Sequence, residues 1–364
     1  MKDGRITRQE ILARVDDRVI IMDGAMGTML RGSHSICGNE ASNSVKRKET
    51  FPPSMCLLNL TDPERVAQIH RSYIQSGAEL IETNTFSFAA FPGQECCSDK
   101  IYELSRRGAE IARKVSEEEA LSFMLSDYSG SKSWKEEWGP QRAIVAGCIG
   151  ACNQTIDAYR HQAEGLIDGG ADVLLVESIY DLANAEAALQ GIRMAIWERT
   201  ERVKCKCSRT EDLGSVKADR NDEEEDIPVM ASATIDQEGK ILSGEDFRTV
   251  FGRLEKFGLF SLGFNCSFGA EAMIPFAVSL KEFAAGLPVS ICPSAGLPDD
   301  AGQYPEGPEF WASCIGRMIS GIGNMDFKLG KTEACIAAKH QAIFAGGCCG
   351  TSPEYIRALK DSCK

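Results

Sequence analysis

The stretch Asp172-Val173-Leu174-Leu175-Val176-Glu177-Ser178 is an apolar run that ends abruptly in a carboxylate and a hydroxyl. A continuous run of this length, without alternation, is the pattern of a strand covered on both faces in a parallel sheet. Ala158 to Asp168 before it and Leu182 to Trp197 after it are helix-length amphipathic segments. The same unit recurs along the chain. Arg18 to Met22 breaks at Asp23-Gly24-Ala25-Met26-Gly27-Thr28, Ala78 to Ile81 runs into Glu82-Thr83-Asn84-Thr85, and Ala143 to Ala146 runs into Gly147-Cys148-Ile149-Gly150. Further copies are Val229 to Ile235, Leu259 to Asn265 before Cys266, Pro288 to Cys292 before Pro293-Ser294, and Ala342 to Ala345 before Gly346. Between them lie helical segments at Pro63 to Ser76, Ile101 to Val115, Asp246 to Phe257, Ala270 to Phe283, Pro308 to Ile319 and Pro353 to Lys360. Asp62 before Pro63 and Ser352 before Pro353 read as N-cap-then-proline starts. Strands alternating with helices in this way predict an α/β chain folded as a (β/α)8 TIM barrel, with its chemistry on the loops that follow the strands. An open doubly wound sheet is the competing architecture, but no Gly-x-Gly-x-x-Gly turn follows the first strand.

The length of 364 residues suits one such barrel over 8–364, with surface insertions. A net charge of -13 and the absence of a basic stripe interleaved with aromatics exclude nucleic acid as a natural partner. No apolar run approaches the ~20 residues that cross a bilayer. The start Met1-Lys2-Asp3-Gly4-Arg5 leads into a polar helix rather than a signal-peptide core. Cys occurs 15 times, an odd count, so the expected compartment is the reducing cytoplasm, where thiols stay free for metal or redox chemistry. Three stretches fit the barrel poorly: Arg31 to Ser54 with Lys46, Arg47 and Lys48; Ser122 to Gln141 with Trp134 and Trp138; and Lys204 to Asp226. The last, with its acidic run Asp222 to Asp226, reads as a disordered insertion over 204–226. Cys205-Lys206-Cys207 inside it has no second ligand pair nearby and is not counted as a metal site.

The chemistry gathers at the strand ends. In Gly346-Gly347-Cys348-Cys349-Gly350-Thr351 two adjacent thiols sit in a glycine-rich turn that lets both point at one ion. Cys266, in Gly263-Phe264-Asn265-Cys266, is the candidate third ligand, and three thiolates with an open fourth position describe a zinc site that holds a substrate. The alternative is that these cysteines are small buried hydrophobes. Of the 4 histidines, His70 and His161 fall in helical segments, His340 precedes a strand and His34 lies in a polar loop, so a histidine-based site is not expected. Zinc held by thiolates is suited to lowering the pKa of an incoming thiol from roughly 8.5, which points to S-alkylation of a thiol. Asp23, Glu82, Asn84, Glu177 and Asn265 complete the polar inventory at the strand ends.

These residues resemble the homocysteine S-methyltransferase family, most closely the homocysteine-binding module of the cobalamin-dependent methionine synthases. The resemblance rests on Met22 to Leu30 (MDGAMGTML), Ile81 to Phe86 (IETNTF), Ala163 to Ala188, Thr234 to Gly244, Gly263 to Gly269 (GFNCSFG), Ala295 to Pro298 (AGLP) and Gly346 to Pro353 (GGCCGTSP). It implies zinc on Cys266, Cys348 and Cys349 with homocysteine sulfur as the fourth ligand. It also implies Asp23 and Glu177 near the substrate ammonium, Asn265 and backbone N–H groups near its carboxylate, and Glu82 and Asn84 as further substrate contacts. The implied reaction is methyl transfer to homocysteine, giving methionine. The Asp-Gly-Ala-Met-Gly-Thr loop favours the cobalamin-linked branch over relatives that use betaine or S-methylmethionine.

The chain lacks an Asp-x-His-x-x-Gly cobalamin signature and the length for folate or cobalamin modules. Methylcobalamin is therefore expected on another module or a separate corrinoid protein. Alternatives are a small methyl donor, a different thiol acceptor, or a non-catalytic zinc- or thiol-binding barrel. The sequence departs from the family pattern where Ala151-Cys152 replaces the usual proline and where Asn153-Gln154-Thr155 leads at once into a helix. It departs again at Ala233 for glycine, at Ser294 for asparagine, and over Asn324 to Lys339.

Overall fold

The computed structural model describes residues 4–15, 18–32, 55–86, 98–126, 141–150, 154–208, 227–323 and 343–363. The strands are β1 (Val19–Ile21), β2 (Leu80–Glu82), β3 (Ile144–Gly150), β4 (Val173–Ile179), β5 (Val229–Ala233), β6 (Ser261–Gly269), β7 (Val289–Ser294) and β8 (Ile343–Ala345). They form an 8-stranded sheet in the order β1-β8-β7-β6-β5-β4-β3-β2, with every ladder parallel. The ring is closed between β1 and β2 by a bridge at Met22 and Leu80. Glu79 N donates to Ile21 O at 2.7 Å and Asp23 N to Leu80 O at 2.9 Å across the same seam. The expected (β/α)8 barrel is the observed one.

Strand periodicity sorts the apolar side chains into two layers. Ile20, Met22, Leu80, Ile144, Ala146, Val173, Leu175, Met230 and Phe344 fill the barrel interior. Their neighbours Ile21, Ile81, Val145, Leu174, Val176, Ala231 and Ile343 pack outward against the helices. The N-terminal helix Arg8–Val15 is a plug: Ile6, Ile11 and Val15 join the interior cluster and seal one end. Asp172, just ahead of β4, fastens that end. Its carboxylate accepts from Arg142 at 2.6 and 2.7 Å, from Ile6 N at 2.7 Å and from Val145 N at 2.8 Å. With its floor closed, the barrel opens only where the strands end.

Helix Pro63–Gln75 starts as expected, with Asp62 accepting from Arg65 N ahead of the proline. Ser352 precedes Pro353 without a side-chain cap. Two helices outrun the sequence reading, Ser98–Ser126 and Leu182–Ser208. The second carries residues 204–208 of the expected insertion, including the backbone of Cys205 and Cys207, as a continued helix. Lys46 to Lys48, Trp134, Trp138, Ala151 to Asn153, Asp222 to Asp226, His34, His340 and Asn324 to Lys339 lie outside the described residues. Thr155 caps the helix Ile156–Asp168 by accepting from Ala158 N. Among the described residues no helix is long and apolar enough to cross a membrane.

Candidate metal centre

β6 and β8 are separated in the ring by β7 alone, so the ends of two strands far apart in sequence lie side by side. At the end of β6 the ladder slips between Cys266 and Gly269, and Cys266 and Ser267 take left-handed φ values of 54° and 61°. For residues with a Cβ this conformation costs about 1 kcal/mol or more each. The surroundings hold it in place: Ile235 N donates to Ser267 Oγ at 2.9 Å, and Thr234 Oγ1 to Asn265 O at 3.2 Å. The bulge turns Cys266 toward β8.

The turn after β8 is fastened on both sides. Gly347 N donates to Asp23 O at 2.9 Å, Cys348 N to Pro293 O at 3.0 Å, and Ala295 N to Cys349 O at 2.9 Å. Gly350 N donates to Thr28 Oγ1 at 3.0 Å, and Thr351 Oγ1 to Cys348 O at 2.7 Å. Glycine is required at two of these positions. A Cβ on Gly346 would lie 2.6 Å from Met22 Cβ, and one on Gly350, at φ 84°, would lie 2.2 Å from Tyr304 Cγ. The thiol turn is thus gripped between the loop after β1 and the loop after β7.

Cys266, Cys348 and Cys349 converge, with their sulfurs all within 4.8 Å of one another. Cys266 Sγ is 3.5 Å from Cys349 Sγ. Cys266 and Cys348 are placed as a sulfur–sulfur pair with Cα atoms 5.4 Å apart. Zn–S bonds of ~2.3 Å put the sulfurs of a tetrahedral site roughly 3.8 Å apart, a spacing that Cys266 and Cys349 approach and that Cys266 and Cys348, disulfide-bonded to each other, would take up only once reduced. Cys349 is exposed and the other two are half-buried, so the cluster is open on one side. The three sequence-derived ligand candidates are therefore together, at the rim the barrel leaves open.

The strand ends beside the sulfurs are acidic. Asp23 is buried, and its Oδ2 accepts from Glu82 N at 3.0 Å. Burial pushes the Asp23, Glu82 and Glu177 carboxyls above the usual range, and Glu177 adds to the rise at the other two. Among the described residues none of the three has a hydrogen bond or ion pair with Lys, Arg or His. Asn265 is the hub of the wall. Its Nδ2 donates to Ser178 Oγ at 2.8 Å and Glu177 Oε2 at 3.3 Å, and lies 4.0 Å from Cys348 Sγ. Its Oδ1 accepts from Ser232 Oγ at 2.8 Å and Ser178 N at 3.0 Å. Asn84 is engaged elsewhere, donating to Met55 O at 2.9 Å and Asn59 Oδ1 at 3.1 Å. Thr83 and Thr85 bond to each other and to the Cys148 backbone.

Sequence reasoning missed Cys148, whose Sγ lies 2.7 Å from Glu177 Oε1. The signal was its position two residues in from the end of a strand, at the same inward parity as Ile144 and Ala146. It also missed Tyr304, which nothing in the local pattern marks.

A profile of the homocysteine S-methyltransferase family matches residues 20–363. Proteins named methionine synthase from Mycobacterium leprae (strain TN) and Mycobacterium tuberculosis (strain ATCC 25618 / H37Rv) are 30% and 29% identical to this chain. The matches cover 96% and 98% of this chain but 25% and 26% of theirs, so the chain spans about a quarter of the length of these relatives. The apo form of the homocysteine methyltransferase MmuM from Escherichia coli superposes with a TM-score of 0.59 at 21% identity, covering 97% of this chain and 99% of that one. Its metallated form gives 0.58 at 19% identity, covering 96% and 99%; at such identities the likeness shows the fold. With the family profile matched from β1 to the last helix, this chain belongs to the homocysteine S-methyltransferase family.

Proposed function

We propose that this chain transfers a methyl group to the sulfur of homocysteine, giving methionine. The observation that carries the reading is the convergence of Cys266, Cys348 and Cys349 within 4.8 Å, joined through Asn265 to Glu177, one of the strand-end carboxylates that have no basic partner among the described residues. Zinc bound to the three sulfurs would hold the substrate sulfur as a thiolate, lowering a pKa that is roughly 8.5 in the free thiol.

The chain's own residues do the rest. Asp23 and Glu177, with Glu82 beside them, accept the substrate ammonium, whose arrival supplies the positive charge that the buried carboxyls lack. Asn265, tied to Ser178, Ser232 and Glu177, orients the wall between the ammonium pocket and Cys348. Backbone N–H groups near Asn265 take the substrate carboxylate. Asn84 has both amide hydrogens occupied and is given no substrate contact. The barrel holds the thiolate in line with the methyl carbon, and this positioning is a large part of the rate. The sulfur lone pair forms the new S–C bond, the carbon's former bond breaks with its electron pair staying on the leaving group, and the thiol proton passes to solvent.

Methylcobalamin is proposed as the donor, carried on another module or protein. Support comes from the likeness to relatives named methionine synthase whose length is about four times the matched region. The second reading is a small donor such as S-methylmethionine or betaine. Reduced, zinc-loaded protein mixed with homocysteine is expected to release protons and, with one of the three donors, to form methionine. Zinc and homocysteine uptake without product from any donor would instead mark a binding protein. No proton release would remove the thiolate chemistry altogether.

A further inference from the structure

Cys148 is a buried thiol on β3 that the metal chemistry does not use. It lies outside the rim cluster, and its Sγ sits 2.7 Å from Glu177 Oε1. Its backbone is fastened on both sides. Cys148 N donates to Thr83 Oγ1 at 3.0 Å, while Cys148 O accepts from Thr85 Oγ1 at 2.7 Å and from Gln162 Nε2 at 3.3 Å. The other oxygen of Glu177 takes the Asn265 amide. Together they form a two-point grip on a single carboxylate, one donor on each oxygen.

We propose that Cys148 is a positioning residue: its S–H donates to Glu177 Oε1 and holds that carboxylate ionised and aimed at the substrate ammonium. This rests on the ammonium reading of Glu177 given above. Two features of the site support the thiol as donor rather than as a further metal ligand or nucleophile. Burial and the neighbouring Glu177 and Glu82 carboxylates hold its proton on. A sulfur in hydrogen-bond contact with a carboxylate oxygen needs a proton between them, since thiolate and carboxylate repel. The chain thereby keeps two populations of cysteine within one barrel: rim sulfurs that give up protons to a metal, and an interior thiol that keeps its own.

A hydrogen bond to a charged group is worth roughly 1.5–3 kcal/mol and a thiol is a weak donor. Cys148→Ala is therefore expected to weaken homocysteine binding by about 5- to 10-fold. Cys148→Ser, which keeps a donor, is expected to stay within about 2-fold of the parent. Calorimetric titration of reduced, zinc-loaded protein with homocysteine and with 4-mercaptobutanoate, which lacks the amino group, reads this out. The alanine loss is expected for homocysteine only, with zinc stoichiometry unchanged in every variant. Equal losses for both ligands, no loss in Cys148→Ala, or no rescue in Cys148→Ser would overturn the proposal. Glu177→Gln separates it from its premise. If that variant leaves the preference for homocysteine over the des-amino analogue intact, the ammonium reading fails. If it abolishes the preference while Cys148→Ala does not, only the role of Cys148 fails.

Discussion

Gly350→Ala tests how the thiol turn is held. The residue has φ 84°, and a Cβ there would lie 2.2 Å from Tyr304 Cγ and 2.5 and 2.6 Å from Cδ1 and Cδ2. Two costs follow. A left-handed residue with a Cβ loses about 1–2 kcal/mol, and displacing a packed ring adds roughly 1–3 kcal/mol. Gly244, at φ 102° with nothing within 4 Å of its Cβ position, isolates the first cost. Gly244→Ala is expected to lower stability by the backbone cost alone and to leave zinc affinity unchanged. Gly350→Ala is expected to lose about 2–5 kcal/mol of stability. It is also expected to weaken zinc about 10- to 100-fold, the usual range when groups supporting metal ligands are disturbed. Chemical denaturation and zinc competition with a chromophoric chelator give the two numbers. Adding Tyr304→Ala to Gly350→Ala removes the clash and is expected to recover zinc affinity to the level of Tyr304→Ala alone. If Gly350→Ala matches Gly244→Ala in both assays, the loop after β7 does not grip the turn.

His70 is fully buried, its two ring nitrogens have no hydrogen-bond partner among the described residues, and burial lowers its pKa from 6.5 to about 4. The folded state favours the neutral ring, so stability is complete above pH 6.5 and falls as the pH drops toward 4. At roughly 1.4 kcal/mol per pKa unit the loss approaches about 3 kcal/mol. His70→Leu is expected to remove that part of the acid sensitivity, read as the difference in urea midpoints between pH 7.5 and pH 4.5; an unchanged difference would refute it. Asp172→Ala leaves Arg142 without its carboxylate at the closed end of the barrel. It is expected to cost about 3–5 kcal/mol in denaturation while zinc stoichiometry in the folded protein stays the same, and zinc loss without unfolding would contradict that division of labour.

The repeat of apolar run and polar break carried the barrel because a doubly covered strand and an amphipathic helix each leave a local trace. Cys348 and Cys349 were readable because glycine, adjacent cysteines and a strand end coincide in Gly346 to Thr351, and Cys266 because it too stands where an apolar run breaks. What local pattern cannot carry is the contact made across the ring. The left-handed bulge at Cys266 and Ser267, the Tyr304 ring on Gly350 and the Cys148 thiol on Glu177 all depend on which strands become neighbours. Asn84 shows the converse. At a strand end it has the look of a cavity residue, but its amide is taken by Met55 and Asn59 on the preceding helical segments. The helix Leu182–Ser208 outlasts its apolar pattern, because a helix once formed can run on through residues that carry no apolar face.

The most direct measurement is zinc per chain, by elemental analysis of reduced protein, in the parent and in Cys266→Ser, Cys348→Ser and Cys349→Ser. One ion per chain in the parent and its loss in each variant, with the fold retained by circular dichroism, is the expected result. A Cys266→Ser protein that still holds one tightly bound zinc would contradict the claim that sulfurs from the ends of β6 and β8 share a single ion.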